Sequence, residues 1–486
     1  MFQIKHFFGI AMLFIGFSSS AQQMKFEVDG LSSDTVFLAN YFGDKMYYAD
    51  TTVADAKGRF SFPGRPFEEC GKYAVILPGN KMFELLAVQE EIEIHTSLAK
   101  PKEEIEVILS DENRLFYDYL GFIQERRKKA APQEAILMDS TSTVEAREAA
   151  MEIMNAFGEE VAAEQKRLIQ TEGDKLFVKY LNMVVEPEIP EVPPQIANPR
   201  DLQYRWYRDH YWDRVDFSDP RMVRDASFHN ILNTYWTRVL PQIPDTLETE
   251  ALKLIDRVSS NPDMFKYIVH FITFNSESSQ VMCMDKVFVR MVNEFYRAGK
   301  AVWLNEDQVQ KIVDRAEDLK HSLCGNVPPN ITLPDLSGQE WVSLHDIDAK
   351  YTAILIWEST CGHCKKELPK LQELYDEWKP KGLEIYAIGN DFETEPWKEF
   401  VEKKGYTDWI NVSDNPEVNA QDSAMALIYS GVTNLESLNF RTTFDVYATP
   451  KIFLLDKDKK IVAKQIGAEQ LGEILGRLEG FQENGN

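Results

Sequence analysis

The four residues Cys361-Gly362-His363-Cys364 constrain this chain of 486 residues more than any other stretch. They follow the apolar run Ala353-Ile354-Leu355-Ile356-Trp357 and open a helical stretch over 365–378. A strand that ends in C-x-x-C at a helix start is a place for redox chemistry. Exposed N–H groups and the positive end of the helix dipole favour a thiolate at the first cysteine. The spacing lets the second thiol reach back and close a disulfide within one turn, giving a nucleophile and its resolving partner.

Two other readings of the motif are weaker. A closed zinc site takes four ligands, and no second C-x-x-C or C-x-x-H follows. The remaining cysteines, Cys70, Cys283 and Cys324, are scattered, so no metal is expected. A purely structural disulfide at this spacing is strained.

The surrounding residues narrow the reading. Trp357 stands before the first cysteine, Glu367 and Pro369 follow the second, and Thr449-Pro450 runs into the apolar strand 451–456. This C-x-x-C-x-x-E-x-P string with a later Thr-Pro resembles the thioredoxin superfamily, and within it the TlpA/ResA-type thiol-disulfide oxidoreductases of bacterial envelopes. The resemblance implies an α/β thioredoxin fold with Cys361 and Cys364 as the catalytic couple. It implies that Glu367 tunes the cysteines or relays a proton; a solvated surface glutamate fits the sequence equally. By the same resemblance Pro450 is a cis-proline that presents the backbone of Thr449 to substrate, and Trp357 is a platform beneath the site or simple core. Pro369 kinks the helix that carries the motif. One departure is Leu355, where thioredoxin has a buried aspartate; a proton acceptor then has to be Glu367 or water.

His363 bears on the direction of electron flow. A histidine between the cysteines stabilises a thiolate, and Gly-His is the dipeptide of protein disulfide isomerases, which are less reducing than thioredoxin. The family resemblance implies a reductase instead, so the direction stays open at this level. A peroxiredoxin reading fails on its own pattern: Glu358 stands where a threonine or serine is required three residues before the reactive cysteine, and Ile354 lies where a proline is expected.

At the N-terminus, Lys5 and His6 precede an apolar stretch over 7–17, and Ser18-Ser19-Ser20-Ala21 offers a cleavage site. This is a secretory signal of residues 1–21, too short to span a membrane. The expectation is export to the periplasm without a lipid anchor and with no later spanning segment. A net charge of −25 argues against nucleic acid and anionic membranes as partners. A bridge between Cys283 and Cys324 is feasible, although three inert, buried thiols are the expected arrangement.

The rest of the chain divides by pattern into a multidomain protein. Residues 22–110 show short alternating runs punctuated by Gly43, Gly58, Pro63-Gly64 and Pro78-Gly79, which reads as an all-β sandwich. A helix capped at Ser110, with Leu115, Phe116, Tyr119, Leu120 and Ile123 on one face, opens a helical region over 111–325. A proline-rich connector at 187–199 interrupts it. Both regions resemble uncharacterised domains found ahead of envelope thioredoxin modules, and docking is the expected role of the sandwich. Tyr204, Tyr207 and Tyr211 form a stripe that reads as core, and His210 and His229 lack a spaced second ligand pair for a metal. The thioredoxin-like module occupies 326–486, opening with a hairpin around Leu333 and Val342. Its long segment 390–447 is expected to shape partner choice or to form a distal surface; within it 425–433 reads as an extra loop or helix.

The resulting reading is a periplasmic thiol-disulfide oxidoreductase, taken as a reductase. Its substrates are envelope protein thiols and disulfides, and an upstream membrane or soluble redox donor resets it. It uses no cofactor beyond the Cys361–Cys364 disulfide. The alternative is a non-catalytic envelope binding or scaffold protein that uses the thioredoxin fold for docking.

Overall fold

The computed structural model describes residues 22–480 apart from 194, 197 and 415. The expected export signal over 1–21 lies outside the described residues. The chain divides into two compact units: one runs to Leu240 and includes Arg257–Tyr267, and the other comprises Pro241–Asp256 and the chain from Ile268 onward.

The first unit opens with eight strands, β1 (Gln23–Asp29), β2 (Thr35–Phe42), β3 (Lys45–Val53), β4 (Arg59–Pro63), β5 (Gly71–Leu77), β6 (Lys81–Ala87), β7 (Ile92–Ser97) and β8 (Glu106–Leu109). They form two four-stranded sheets, in the orders β4-β1-β7-β8 and β3-β2-β5-β6. Alternate residues face inward, as the pleat requires. Met24, Phe26 and Val28 of β1 and Phe60 and Phe62 of β4 meet Val36 and Leu38 of β2, Val75 of β5 and Phe83 of β6 in one core. The all-β sandwich expected over 22–110 is therefore present.

The helix Asp111–Met138 begins where the capping pattern puts it, with the Ser110 hydroxyl accepting from the Asn113 amide. The Asn113 side chain is buried and bonds both the N–H and the C=O of Leu86, which pins the helix start to β6. Phe116 is buried, but Leu120 on the same stripe is exposed. Further along, Tyr204 and Tyr211 donate their hydroxyls to the carbonyls of Val239 and Ile231, and Tyr207 packs edge-on against Tyr211. All three are half-buried and packed within the helical region, short of a fully buried core. His210 stacks on Trp206, and His229 bonds the Tyr267 hydroxyl at 2.8 Å.

The second unit carries helices including Asp285–Met291 and Glu306–Leu319, then a hairpin of β9 (Thr332–Pro334) and β10 (Trp341–Ser343). A five-stranded sheet follows, built from β11 (Tyr351–Trp357), β12 (Leu383–Gly389), β13 (Ile410–Ser413), β14 (Lys451–Leu455) and β15 (Ile461–Lys464) in the order β13-β12-β11-β14-β15. β11 runs parallel to β12 and antiparallel to β14. Every residue of β11 is buried, because helices cover both faces of the sheet. One face packs against the helices Gly362–Trp378 and Ala468–Leu478 through Leu368, Leu371, Tyr375, Leu471 and Leu475. The other is covered by Leu438, Phe440 and Phe444 from the long segment after β13, packed on Ile354, Ile356 and Phe453. The long segment thus contributes a layer of core, and Thr433 and Asn434 within it tie back to the carbonyls of Thr332 and Asn330.

The cysteines outside the motif depart from the expectation of three inert thiols. Cys283 and Cys324 are joined in a disulfide with a Cα–Cα separation of 5.7 Å. Only Cys70 remains a buried thiol, pushed up to about 11 by burial. Sequence spacing holds no trace of the pairing because the two residues meet only through the fold of the second unit.

Candidate active site

The C-x-x-C turn is held between β11 and the helix Gly362–Trp378, with Cys361 at the N-cap in extended conformation. Its sulfur takes the role a serine oxygen plays in an ordinary cap: it accepts from the Cys364 amide at 3.4 Å. The segment leading into the motif is fixed from the end of β12. The Asn390 amide donates to the Trp357 carbonyl at 2.7 Å, and the Asn390 side chain bonds the Glu358 carboxylate. Asp391 accepts from the Ser359 amide at 2.9 Å and also from the Ser359 hydroxyl. These two positioning residues were not singled out by sequence. The available signal was their place, directly after the apolar run that forms β12.

Thr449 and Pro450 come to the same point from the loop before β14, joined by a cis peptide bond. The Cys361 thiol donates to the Thr449 carbonyl at 3.2 Å. Cys361 is partly exposed, whereas Cys364 is only 1% exposed. The two thiols are driven in opposite directions. Burial pushes Cys361 up, but hydrogen bonds from the Cys364 amide, Thr449, the Cys364 thiol and the His363 amide outweigh it and hold the thiol below the ordinary cysteine value. Burial dominates at Cys364 and, with the neighbouring Cys361, pushes it up to about 12 despite hydrogen bonds from Glu358 and Thr449. The arrangement therefore contains an accessible sulfur that ionises readily and a shielded sulfur that keeps its proton.

The other expected site residues fall in different places. His363 is exposed on the first turn of the helix and reaches Cys361 through its backbone amide. Glu367 turns toward the C-terminal helix: its carboxylate accepts from the Ala468 amide at 2.6 Å and pairs with Lys370 at 3.5 Å. Trp357 is wholly buried among Cys364, Leu368 and Trp397 and packs on Phe400 with ring centroids 5.5 Å apart, so of its two expected places it takes the one in the core, beneath the motif. Leu355 is also fully buried, which leaves this part of the core without an ionisable group at the position thioredoxin uses. Among the described residues no three His, Cys, Asp or Glu side chains gather in a way that could hold a metal ion.

A strand-to-helix C-x-x-C facing a cis-proline loop on a five-stranded mixed sheet agrees with the match of a family model to this part of the chain. Residues 324–464 match the model of the AhpC/TSA family, and this part of the chain is a thioredoxin-like domain. Residues 142–322 match a domain of unknown function, DUF5106. The thioredoxin-like domain is homologous to proteins named thiol-disulfide oxidoreductase ResA. The one from Bacillus thuringiensis (strain Al Hakam) is 28% identical over 155 residues, covering 32% of this chain and 76% of the relative. Among solved structures, a domain described as a possible thiol-disulfide isomerase from Cytophaga hutchinsonii shares 34% identity with a TM-score of 0.28, covering 33% of this chain and 96% of that one. A thioredoxin-like protein from Bacteroides caccae shares 21% identity with a TM-score of 0.40 and covers 59% of this chain and 97% of that one. With relatives named thiol-disulfide oxidoreductase, the thioredoxin-like domain is of the thiol-disulfide oxidoreductase class.

Proposed function

We propose that this chain exchanges dithiol for disulfide with polypeptide partners of the cell envelope through its C-G-H-C motif, acting as a reductase. The observation that carries the reading is the asymmetry of the two sulfurs. Cys361 is accessible, ionises below the ordinary cysteine value and lies 3.2 Å from the Thr449 carbonyl, while Cys364 is buried and held at about 12.

The Cys361 thiolate attacks one sulfur of the partner disulfide; that S–S bond breaks, and the departing partner thiolate takes up a proton. The mixed disulfide lies along Thr449-Pro450. Cys364 then loses its proton and attacks the Cys361 sulfur, which expels the second partner thiolate and leaves Cys361–Cys364 oxidised. Two electrons have moved to the partner, and an upstream donor dithiol must return them. His363 contributes its backbone amide to the hydrogen bonds that hold Cys361 low. No soluble cofactor enters any step.

Export is supported by the signal pattern over 1–21 and by the Cys283–Cys324 disulfide, a bond that persists in oxidising compartments. No helix among the described residues is long and apolar enough to cross a membrane. We read residues 22–110 and 111–325 as accessory to the redox module at 326–486.

The direction of exchange rests on the resemblance to TlpA/ResA-type proteins. The lowered Cys361 pulls the other way, because it stabilises the reduced form. An equilibrium redox titration of the full chain, following Cys361–Cys364, tests the direction. A potential at or below about −250 mV supports the reductase. A value of about −180 to −120 mV assigns an oxidase or isomerase instead, and failure to form the disulfide removes the exchange reading altogether.

A further inference from the structure

The loop that carries Thr449 and Pro450 is anchored from outside the thioredoxin-like domain. Arg315, on the helix Glu306–Leu319 within the DUF5106 match, forms a fork on Asp445, with Nη1–Oδ1 at 2.5 Å and Nη2–Oδ2 at 3.2 Å. Asp445 is buried and takes a left-handed backbone conformation at φ +53°, so the ion pair meets the loop at a tight corner. Lys451, the residue after Pro450, holds the same corner from the other end by donating to the carbonyls of Phe444 and Asp445. The Arg315 guanidinium also lies 5.7 Å from the ring centre of Tyr447, within range of a cation–π contact. Tyr447 is 81% exposed and stands two residues before Thr449.

We propose that Arg315 is a positioning residue for the redox site, and that it holds Tyr447 as a contact selecting polypeptide disulfides with an apolar side chain beside the cysteine. A bidentate guanidinium–carboxylate pair fixes geometry as well as charge, which a lysine cannot reproduce. The loop that the substrate backbone must follow is therefore set by the helical region, and the exposed aromatic ring beside it offers apolar area to a neighbouring side chain. A small disulfide that reaches only Cys361 gains nothing from Tyr447. This inference rests on Cys361 and Cys364 being an exchanging couple.

The test compares reduced full-length protein with Arg315→Met, Arg315→Lys and Tyr447→Ser. Each is mixed with a cystine-bridged peptide bearing leucine beside its cysteine, and separately with bis(2-hydroxyethyl) disulfide, which has no apolar or aromatic side group. In Arg315→Met and Tyr447→Ser the peptide exchange rate falls about ten-fold, the loss of one aromatic contact. Arg315→Lys falls with them. In Tyr447→Ser the rate with the small disulfide stays within about two-fold of the parent; in Arg315→Met and Arg315→Lys that rate changes as well, because the loop that carries Thr449 shifts beside Cys361. Equal losses with both disulfides in Tyr447→Ser, or an unchanged peptide rate in Tyr447→Ser or Arg315→Met, overturn the proposal. Tyr447→Ser keeps the test sound if Arg315→Met unfolds, because Tyr447 is at the surface. A parent protein that exchanges with neither disulfide refutes the couple itself, an outcome distinct from the loss of discrimination.

Discussion

Replacing Glu367 separates two roles that its position in the motif leaves open. Its carboxylate meets the Ala468 amide at 2.6 Å, at the start of the helix Ala468–Leu478, whose N-cap is Gly467 and has no side chain to offer. A Cβ at Gly467 would come within 2.9 Å of the Glu367 carboxylate, so the glycine makes room for this borrowed cap. Loss of a capping acceptor costs about 1 kcal/mol. The negative charge at a helix N-terminus contributes roughly 0.3–1 kcal/mol more. The ion pair with Lys370, whose side chain is 60% exposed, adds little after solvent screening. Glu367→Ala should therefore cost about 1–2 kcal/mol, and Glu367→Gln, which keeps an acceptor, about 0.5 kcal/mol. Hydrogen exchange read by mass spectrometry over residues 468–478 measures this locally, since 1.4 kcal/mol is about ten-fold in protection. Exchange of the dithiol with disulfides should keep its rate and pH profile in Glu367→Gln. Unchanged protection together with a ten-fold slower, pH-shifted exchange would refute the capping account and make Glu367 a proton relay.

Two further outcomes follow from the thiols. Alkylation by iodoacetamide should be confined to Cys361, with a pH midpoint below that of a free cysteine, and Cys364 should stay unreactive until the pH approaches about 12. The stability consequences have opposite signs: the lowered Cys361 stabilises the reduced fold above its unfolded value and loses this as pH falls through the folded one, whereas Cys364 stabilises it below the unfolded value and loses this as pH rises toward about 12. The Cys283–Cys324 bridge spans 41 residues, for which the chain-entropy relation gives about 4 kcal/mol. The Cys283→Ser, Cys324→Ser double variant should unfold at a lower temperature in scanning calorimetry, and an unshifted transition would contradict the bond.

Much of the redox module was legible because its signals are local. The C-x-x-C after an apolar run, the Thr-Pro before another, and the hairpin around Leu333 and Val342 each specify a piece of backbone by adjacent residues. β3 was missed because its residues are largely exposed and show no alternation, and β13 because it is only four residues long. Trp357 illustrates a different limit: an aromatic four residues from a reactive cysteine looks the same in sequence whether it lines the site or lies beneath it, and only complete burial decides. Asn390, Asp391 and Arg315 reach the site across the sheet or from another region of the chain, so no spacing rule connects them to Cys361. The Cys283–Cys324 pairing was feasible on sequence but not decided by it, for the same reason.

Trapping the mixed disulfide tests the central claim most directly. Full-length Cys364→Ser and Cys361→Ser proteins are reduced, freed of reductant and mixed with a cystine-bridged peptide, and the products are read by intact mass and peptide mapping. The account predicts a stable one-to-one adduct on Cys361 in Cys364→Ser and none on Cys364 in Cys361→Ser. An adduct on Cys364 of the second variant, or no adduct on Cys361 of the first, would contradict the assignment of nucleophile and resolving thiol.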